Sequence, residues 1–278
     1  MWLAAAPALR LAPIAAAPAG DVSSFFGTST DLWAVGLTFL RLASMVMLLP
    51  GVGDQAVPAR YRLSFALAFA FVATPLIRDT IPPMPPGLGA MTGQVLHEVI
   101  IGLMLGSLMR VLLFTLTTSG EIISLQSGLS FAQTANPTQA QPSTSIATFL
   151  AMLGLVMIYT TNMHHLFIRA MIDSFRIFPA QRPVMIGDAV TLMTQTIAQS
   201  FVLALQMSAP MIVFGLVFNI ATGFIGRIMP NFPVFFAATP LSLLLGLALF
   251  ALGLGATGMV FIDHYQDMLS VFIRRGNG

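Results

Sequence analysis

Six long apolar runs constrain what this chain can fold into more than any other feature. They cover residues 32–50, 63–77, 95–118, 146–168, 190–226 and 232–262. A helix needs about 20 apolar residues to cross a bilayer, and lipid-embedded backbone must satisfy its own hydrogen bonds. The sequence therefore predicts an all-α integral membrane protein of about six hydrophobic segments.

Two of these runs do not fit one simple crossing. The run at 63–77 is short and carries Pro75, whereas the run at 190–226 is too long and carries Pro210. A proline inside a helix removes a hydrogen bond and kinks or breaks it. We therefore expect broken or hairpin helices.

The chain divides into one membrane domain and two short ends. Residues 1–24 are rich in Ala and Pro, which predicts a flexible leader. Ala15-Ala16-Ala17 imitates a signal-peptidase site, but no positive charge precedes the apolar stretch, so cleavage is the less favoured interpretation. Residues 25–273 form a single helical membrane domain, and residues 274–278 form a short basic tail.

Composition excludes several classes of function. All 12 basic residues are scattered arginines and the net charge is only +2, so the chain has no basic patch for nucleic acid. It has no Cys, which removes disulfides, thiolate nucleophiles and Cys-based metal sites. Neither a GxSxG motif nor a Walker motif occurs. We expect no catalytic residues, no cofactor and no metal.

Two runs carry small and polar residues at four-residue spacing, which places each set on one helix face. In the third run the set is Glu98, Gly102, Gly106 and Arg110. In the fifth run the set is Gly215, Asn219, Gly223 and Arg227. Small residues allow close helix approach, so we interpret both faces as helix interfaces rather than charged relays. Arg41, in the middle of the first run, must find a carboxylate, carbonyl groups or water.

The sharpest enzymatic alternative is an intramembrane aspartyl protease. Gly51-Val52-Gly53-Asp54 matches the GxGD pattern of those enzymes, which need two carboxylates that share a proton. Asp54, however, lies in a turn between Pro50 and Pro58, and no Tyr-Asp signature supplies a second carboxylate. The protease therefore remains a minor alternative.

A metal site and a transporter are two further alternatives. His165 shares a helix face with Arg169 and Asp173, but His164 lies about 100° away, so the two histidines are poorly placed to bind one metal. Broken hydrophobic segments often bracket substrate sites in secondary transporters, yet the two halves of this chain show no convincing repeat. Neither alternative is favoured.

A resemblance to a known family rests on residues 120–132. Gly120 and Glu121 open this segment, which reads Gly-Glu-Ile-Ile-Ser-Leu-Gln-Ser-Gly-Leu-Ser-Phe-Ala and precedes Asn136-Pro137. It resembles the central signature of the FliR family of flagellar type III export-gate subunits. Further matching residues are Arg41, Pro50, Pro58, Arg62, Glu98, Gly102, Gly106, Asn162, His164, Pro210, Asn219, Arg227, Pro230, Asn231 and Phe235.

The resemblance covers about residues 30–260, with two departures from the family pattern. Asn136 stands where the family commonly has Asp, and Asn231-Phe232-Pro233 replaces the usual Gln-Leu-Asn. The resemblance implies a structural subunit without enzymatic activity, which forms part of a channel for unfolded flagellar proteins. An injectisome-type gate subunit carries the same core signature and is the alternative.

The same resemblance implies partners and a place in the cell. One copy would join several FliP-type and FliQ-type subunits, other membrane subunits of the export apparatus, unfolded export substrates and membrane lipid. The assembly would lie in the bacterial inner membrane, at the flagellar basal body.

By the same resemblance, the loop at about residues 126–141 plugs the closed channel. Its candidate residues are Gln126, Gly128, Leu129, Phe131, Asn136 and Pro137. Gly128 gives backbone freedom, Phe131 is an apolar stopper, and the polar side chains make contacts that water can replace on opening. Composition alone favours an ordinary polar loop, and the family resemblance reverses that preference.

Overall fold

The computed structural model describes residues 28–54, 56–130, 144–180, 186–231 and 233–275, and seven α-helices can be followed from end to end within those ranges. In chain order they are α1 (Ser29–Leu48), α2 (Ala59–Ile77), α3 (Leu88–Ser127), α4 (Ser145–Thr160), α5 (His164–Ile177), α6 (Ile186–Ile228) and α7 (Val234–Arg275). No strand occurs within those ranges, which confirms the all-α class. The predicted leader, residues 1–24, lies outside them, and α7 continues into the predicted basic tail.

The helices have the length and composition of membrane spans. Five of them qualify individually, namely α1, α2, α3, α6 and α7, and α4 with α5 qualifies as one bent span. Large apolar side chains also cover much of the outer surface, with Leu252 and Phe236 each 85% exposed. Soluble monomers rarely expose large contiguous apolar surface, so these observations confirm the prediction of an integral membrane protein.

A capped hairpin of α1 and α2 forms the N-terminal part of the bundle. The Thr28 side chain accepts a hydrogen bond from the Asp31 amide, and the Asp31 carboxylate accepts one from the Thr28 amide, which is a capping box. Arg78, just after α2, returns to Asp31 with its Nη2 at 2.6 Å from Oδ1. The ion pair therefore ties the end of the hairpin to its beginning.

Helix α3 is the central element of the fold. Its 40 residues extend for about 60 Å at 1.5 Å per residue, twice the hydrocarbon thickness of a bilayer. It packs against α1, α4, α6 and α7. The apolar core lies along these contacts and includes Leu105, Leu108 and Leu112.

The break in the bundle lies in the fourth apolar run, not at Pro75 or Pro210 as the sequence suggested. Helices α4 and α5 meet at 77°. Asn162 between them has φ +59°, and the amides of Asn162 and Met163 donate to the carbonyls of Tyr159 and Ile158. This is a Schellman motif, which ends a helix wherever one residue adopts the left-handed conformation. Helices α2 and α6 continue through their prolines.

Helices α6 and α7 form a long antiparallel hairpin on the side of α3. The 43 residues of α6 follow α3, and the 42 residues of α7 return along α4 and α5. The return path is marked by the ring of Phe250 on Phe149, with centroids 6.3 Å apart, and of Tyr265 on Phe167, at 5.6 Å. The hairpin is twice as long as a simple crossing requires.

Candidate functional site

A buried ion pair joins α1 to α3. Arg41 and Glu98 are 0% and 1% exposed. The Arg41 Nη2 donates to Glu98 Oε1 at 2.9 Å, and Nε donates to the other carboxylate oxygen. This bidentate arrangement is the strongest pairing available to a guanidinium and a carboxylate. It supplies the partner of Arg41 that the sequence left open.

Arg41 also contacts the C-terminal end of α5. Its Nη1 donates to the Ser174 carbonyl at 2.9 Å, and Nη2 donates to the Phe178 carbonyl at 2.8 Å. The Phe175 ring lies under the guanidinium, 4.2 Å from its Cζ, as in a cation–π contact. Carboxylate, carbonyl groups and an aromatic face therefore all compensate for the removal of this charge from water.

The glycine face of α3 brings α1 close to this ion pair. A Cβ at Gly102 would lie 2.5 Å from the Arg41 carbonyl oxygen and would overlap the Ser44 hydroxyl. A Cβ at Gly106 would lie 3.0 Å from the Met45 carbonyl oxygen. Only glycine allows backbones to approach so closely. Glu98, Gly102 and Gly106 thus share one interface with α1.

Arg110, the fourth residue of that set, lies elsewhere. Its side chain is 53% exposed, and its Nη2 is 4.0 Å from Asp54 Oδ1 in the turn after α1. The Asp54 carboxylate also accepts a hydrogen bond from the Gly51 amide at 3.1 Å. The GxGD carboxylate therefore faces an arginine and a backbone amide. The carboxylate of Asp173 pairs with another arginine, since its Oδ2 lies 3.5 Å from Arg169 Nε.

Gly120 and Glu121 anchor the beginning of α4. A Cβ at Gly120 would lie 2.8 Å from the Ala147 amide nitrogen, so α3 and α4 are in backbone contact there. Glu121 Oε1 accepts a hydrogen bond from the Thr144 amide at 2.9 Å, and the Thr144 hydroxyl caps α4 through the Ala147 amide. A carboxylate is favourable at this position because helix N-termini carry partial positive charge.

The C-terminal end of α3 is held by glycines of the α6–α7 hairpin. A Cβ at Gly215 would lie 3.1 Å from the side-chain amide carbon of Gln126, and a Cβ at Gly246 would lie 2.8 Å from Ser127 Cβ. Gly128 ends the helix with φ +80°, and a Cβ there would lie 3.3 Å from the Ser242 hydroxyl. The end of α3 therefore occupies a slot that only small residues can form.

The predicted plug segment is thus anchored on both sides. The sequence assigned Gln126 to a loop, but it lies in the last turn of α3, which ends at Gly128. Gln126 and Gly128 lie in the slot, and Leu129 is half-buried against the core. Glu121 holds Thr144, where the described chain resumes. The other three predicted plug residues, Phe131, Asn136 and Pro137, lie outside the described residues.

The second four-residue set divides between the inside and the outside of the chain. Gly215 is buried against Gln126, whereas Asn219, Gly223 and Arg227 are exposed. No atom lies within 4 Å of a Cβ built on Gly223. Pro230 and Asn231, which follow in the connection to α7, are exposed, and the Phe235 side chain is not among those described.

The histidines at the α4–α5 bend form a ring stack rather than a ligand cluster. The ring centroids of His164 and His165 are 4.1 Å apart, and His164 also stacks on Tyr159 at 5.3 Å. Among the residues that the structure describes, no three His, Cys, Asp or Glu side chains come together as metal ligands.

The partners of the signature residues carry little signal in the sequence. Thr144, Ser242 and Gly246 lie far along the chain from the helix end that they support. Ser242 and Gly246 do have the four-residue spacing of an interface face, which was the available signal. No sequence signal marked the carbonyl groups of Ser174 and Phe178 as partners of Arg41, because every residue carries a carbonyl.

Comparison with known proteins identifies the family. Residues 32–268 match the model for bacterial export proteins, family 1. The chain is 53% identical over 247 residues to the flagellar biosynthetic protein FliR of Caulobacter vibrioides, an alignment that covers 89% of this chain and 98% of that protein. The chain belongs to the FliR family. Family membership indicates a component of the flagellar export apparatus.

More distant members of the FliR family align over most of their length. The flagellar biosynthetic protein FliR of Escherichia coli is 28% identical over 212 residues, which are 76% of this chain and 80% of that protein. The Aquifex aeolicus protein of the same name is 25% identical over 236 residues, 85% of this chain and 91% of its own. The alignments therefore span the helical domain, not one motif.

Proposed function

We propose that this chain is a structural subunit of the flagellar type III export gate and forms part of the channel for unfolded flagellar proteins. The observation that carries the proposal is the match to the FliR family over residues 32–268. The relatives compared above are named as flagellar proteins, which favours the flagellar system over an injectisome. The gate would lie in the inner membrane, at the basal body.

Within that gate, residues 126–141 would plug the closed channel. The anchors on both sides of this segment support the proposal, because a plug must be tethered at fixed points while its middle moves. Gln126 and Gly128 are held between α6 and α7, and Thr144 is held by Glu121. Phe131 would supply the apolar seal, and polar neighbours would exchange their contacts for water on opening.

The exposed apolar surface supports a hetero-oligomer. We propose FliP-type and FliQ-type subunits as the neighbours that cover it. Arg227 and Asn219 lie on this surface, where each polar group would need a partner in the assembled gate. Their neighbours on α6 include Ile220, Phe224 and Ile228, all more than half exposed.

A catalytic role is not part of this proposal. The Asp54 carboxylate lies 4.0 Å from Arg110 and accepts a hydrogen bond from the Gly51 amide, whereas a protease dyad needs a second carboxylate that shares its proton. We therefore expect Asp54→Ala to leave secretion intact, and deletion of the whole chain to abolish secretion and motility. Loss of secretion in an Asp54→Ala gate of normal composition would favour the enzyme.

The plug is tested by ion leakage. Phe131→Gly, combined with a deletion within residues 132–141, should raise the conductance of cells that express the gate without export substrate. Thr138→Gly alone is the control, since it changes the same segment without shortening it or removing its aromatic ring. Equal conductance in the Phe131 variant and the control would contradict a plug. Mass analysis of the gently solubilised complex would show in addition whether two smaller hydrophobic partners accompany the chain.

A further inference from the structure

Arg41 contacts more of the molecule than an ion pair requires. Glu98 binds only one edge of the Arg41 guanidinium. The other donors of Arg41 bind the carbonyl groups of Ser174 in α5 and of Phe178, the C-cap residue of α5. All these contacts are buried or nearly so. One side chain from α1 therefore connects α3 to the end of α5.

The end of α5 is a place where a cation is favourable. The last four carbonyl groups of a helix have no amide partner within it and carry partial negative charge. The Ser174 carbonyl accepts a hydrogen bond from the amide of the C-cap residue, Phe178, so Arg41 is its second donor. Arg176, the basic residue in the last turn of α5, is exposed, so it does not serve the buried side. On the buried side of the end of α5, the cation is Arg41, which belongs to α1.

Helix α5 is the shortest of the seven helices. It has 14 residues, a length at which isolated helices are marginal. It also follows the 77° bend, so α4 does not prescribe its direction. Its inner face, with Ala170 and Ser174, lines a small cavity with Met45 and Leu105.

We propose that Arg41 is a positioning residue that seats α5 against α1 and α3 by capping its C-terminal end, and that Glu98 serves to hold and neutralise Arg41. The inference rests on the fold, not on the export function. A cap and a simple ion pair differ in the effect of removing both charges. If mutual neutralisation were the whole role, removal of both charges would leave α5 in place, whereas a cap is lost whenever Arg41 is lost.

Thiol labelling of α5 distinguishes the two roles. The chain contains no Cys, so a single Ala170→Cys reports on its own position. Ala170 is 9% exposed and faces the cavity, and Ile168, 38% exposed, provides the accessible control as Ile168→Cys. Membranes that contain the full-length chain would be treated with N-ethylmaleimide, and the rate of modification measured by mass spectrometry.

The cap predicts a specific order of rates. Ala170→Cys should react slowly in the native background and in E98Q, which keeps an acceptor for Arg41. It should react about tenfold faster or more in R41M/E98Q, because α5 then opens more often. The Ile168→Cys control should react equally in all backgrounds. A native rate at position 170 in R41M/E98Q would overturn the proposal.

R41K supplies the same test if the double variant does not accumulate. Lysine keeps the charge beside Glu98, but its compact ammonium lacks the fork that reaches the carboxylate and two carbonyl groups together. We expect normal accumulation with faster labelling at position 170. Labelling of R41K at the native rate would show that the guanidinium fork is not required, which would overturn capping through its simultaneous contacts to Ser174 and Phe178.

Discussion

The contact between α1 and α3 should respond sharply to one added methyl group at Gly102. The substitution Gly102→Ala places a Cβ 2.5 Å from the Arg41 carbonyl oxygen, where ordinary contacts begin at 3.4 Å. The Ser44 hydroxyl can rotate away, but the carbonyl oxygen belongs to the backbone of α1. Helix α1 must therefore retreat by about 0.9 Å, or α3 must bend, since packed helices have little spare room.

The magnitude follows from a matched control on the same helix. Gly93→Ala also adds a methyl group to α3, and no atom lies within 4 Å of a Cβ there. Both substitutions gain the helix propensity of Ala over Gly, about 1 kcal/mol, so this gain cancels in the comparison. What remains is the overpacking cost at Gly102, about 1–3 kcal/mol. The retreat of α1 also strains the ion pair between Arg41 and Glu98, one turn away.

Thermal unfolding of the purified chain in detergent measures this difference. For a chain of this size, 1 kcal/mol corresponds to about 2 °C in Tm, so Gly102→Ala should unfold about 2–6 °C below Gly93→Ala. The change in intrinsic Trp fluorescence on heating can report the transition, because Trp33 packs against the core. Equal Tm values for the two variants would refute the argument that backbone contact between α1 and α3 makes glycine necessary at position 102.

Two further substitutions test the anchors of α4. Glu121→Ala should destabilise the start of α4 by about 1 kcal/mol or more, because the Thr144 amide loses its acceptor, whereas Glu121→Gln should retain most of the contact. The rate of limited proteolysis between Ser130 and Thr144 measures this loss. Equal cleavage of the two variants would contradict the prediction. Asn162 has φ +59°, so Asn162→Gly should be tolerated, whereas Asn162→Ala should lower the free energy of unfolding by about 1 kcal/mol. The Ala variant should therefore show the lower Tm. Equal Tm values for the two variants would contradict this prediction.

The position of the break in the bundle illustrates how far local signals extend. The sequence predicted interruptions at Pro75 and Pro210, yet α2 and α6 continue through these prolines. In membrane helices, neighbouring side chains and small local adjustments satisfy the freed carbonyl group, so proline is tolerated. The break occurs at Asn162, where a left-handed residue ends α4. Asparagine is a known C-terminal signal, but one too common to be decisive in a sequence.

The polar residues divide in the same way. Four-residue spacing placed Glu98, Gly102 and Gly106 on one face, since a helix fixes the direction of its own side chains, and in the structure all three contact α1. It also included Arg110, which belongs to a different contact with Asp54 because that residue lies beyond the end of α1. Spacing describes one helix and contains no information on where a neighbouring helix ends.

The sequence by itself determined the class of the protein, its family and the approximate extent of its helices. The class and the helices follow from local composition and periodicity, because a bilayer demands apolar length and internally bonded backbone. The family follows from the resemblance carried by residues 120–132. Only the tertiary structure decided the partner of Arg41, the anchors of Gln126 and Thr144, and the faces left open to other subunits. Such contacts join residues more than 20 positions apart in the sequence, and Arg41 and Ser174 are 133 positions apart. Only the packing of whole helices selects contacts of this kind.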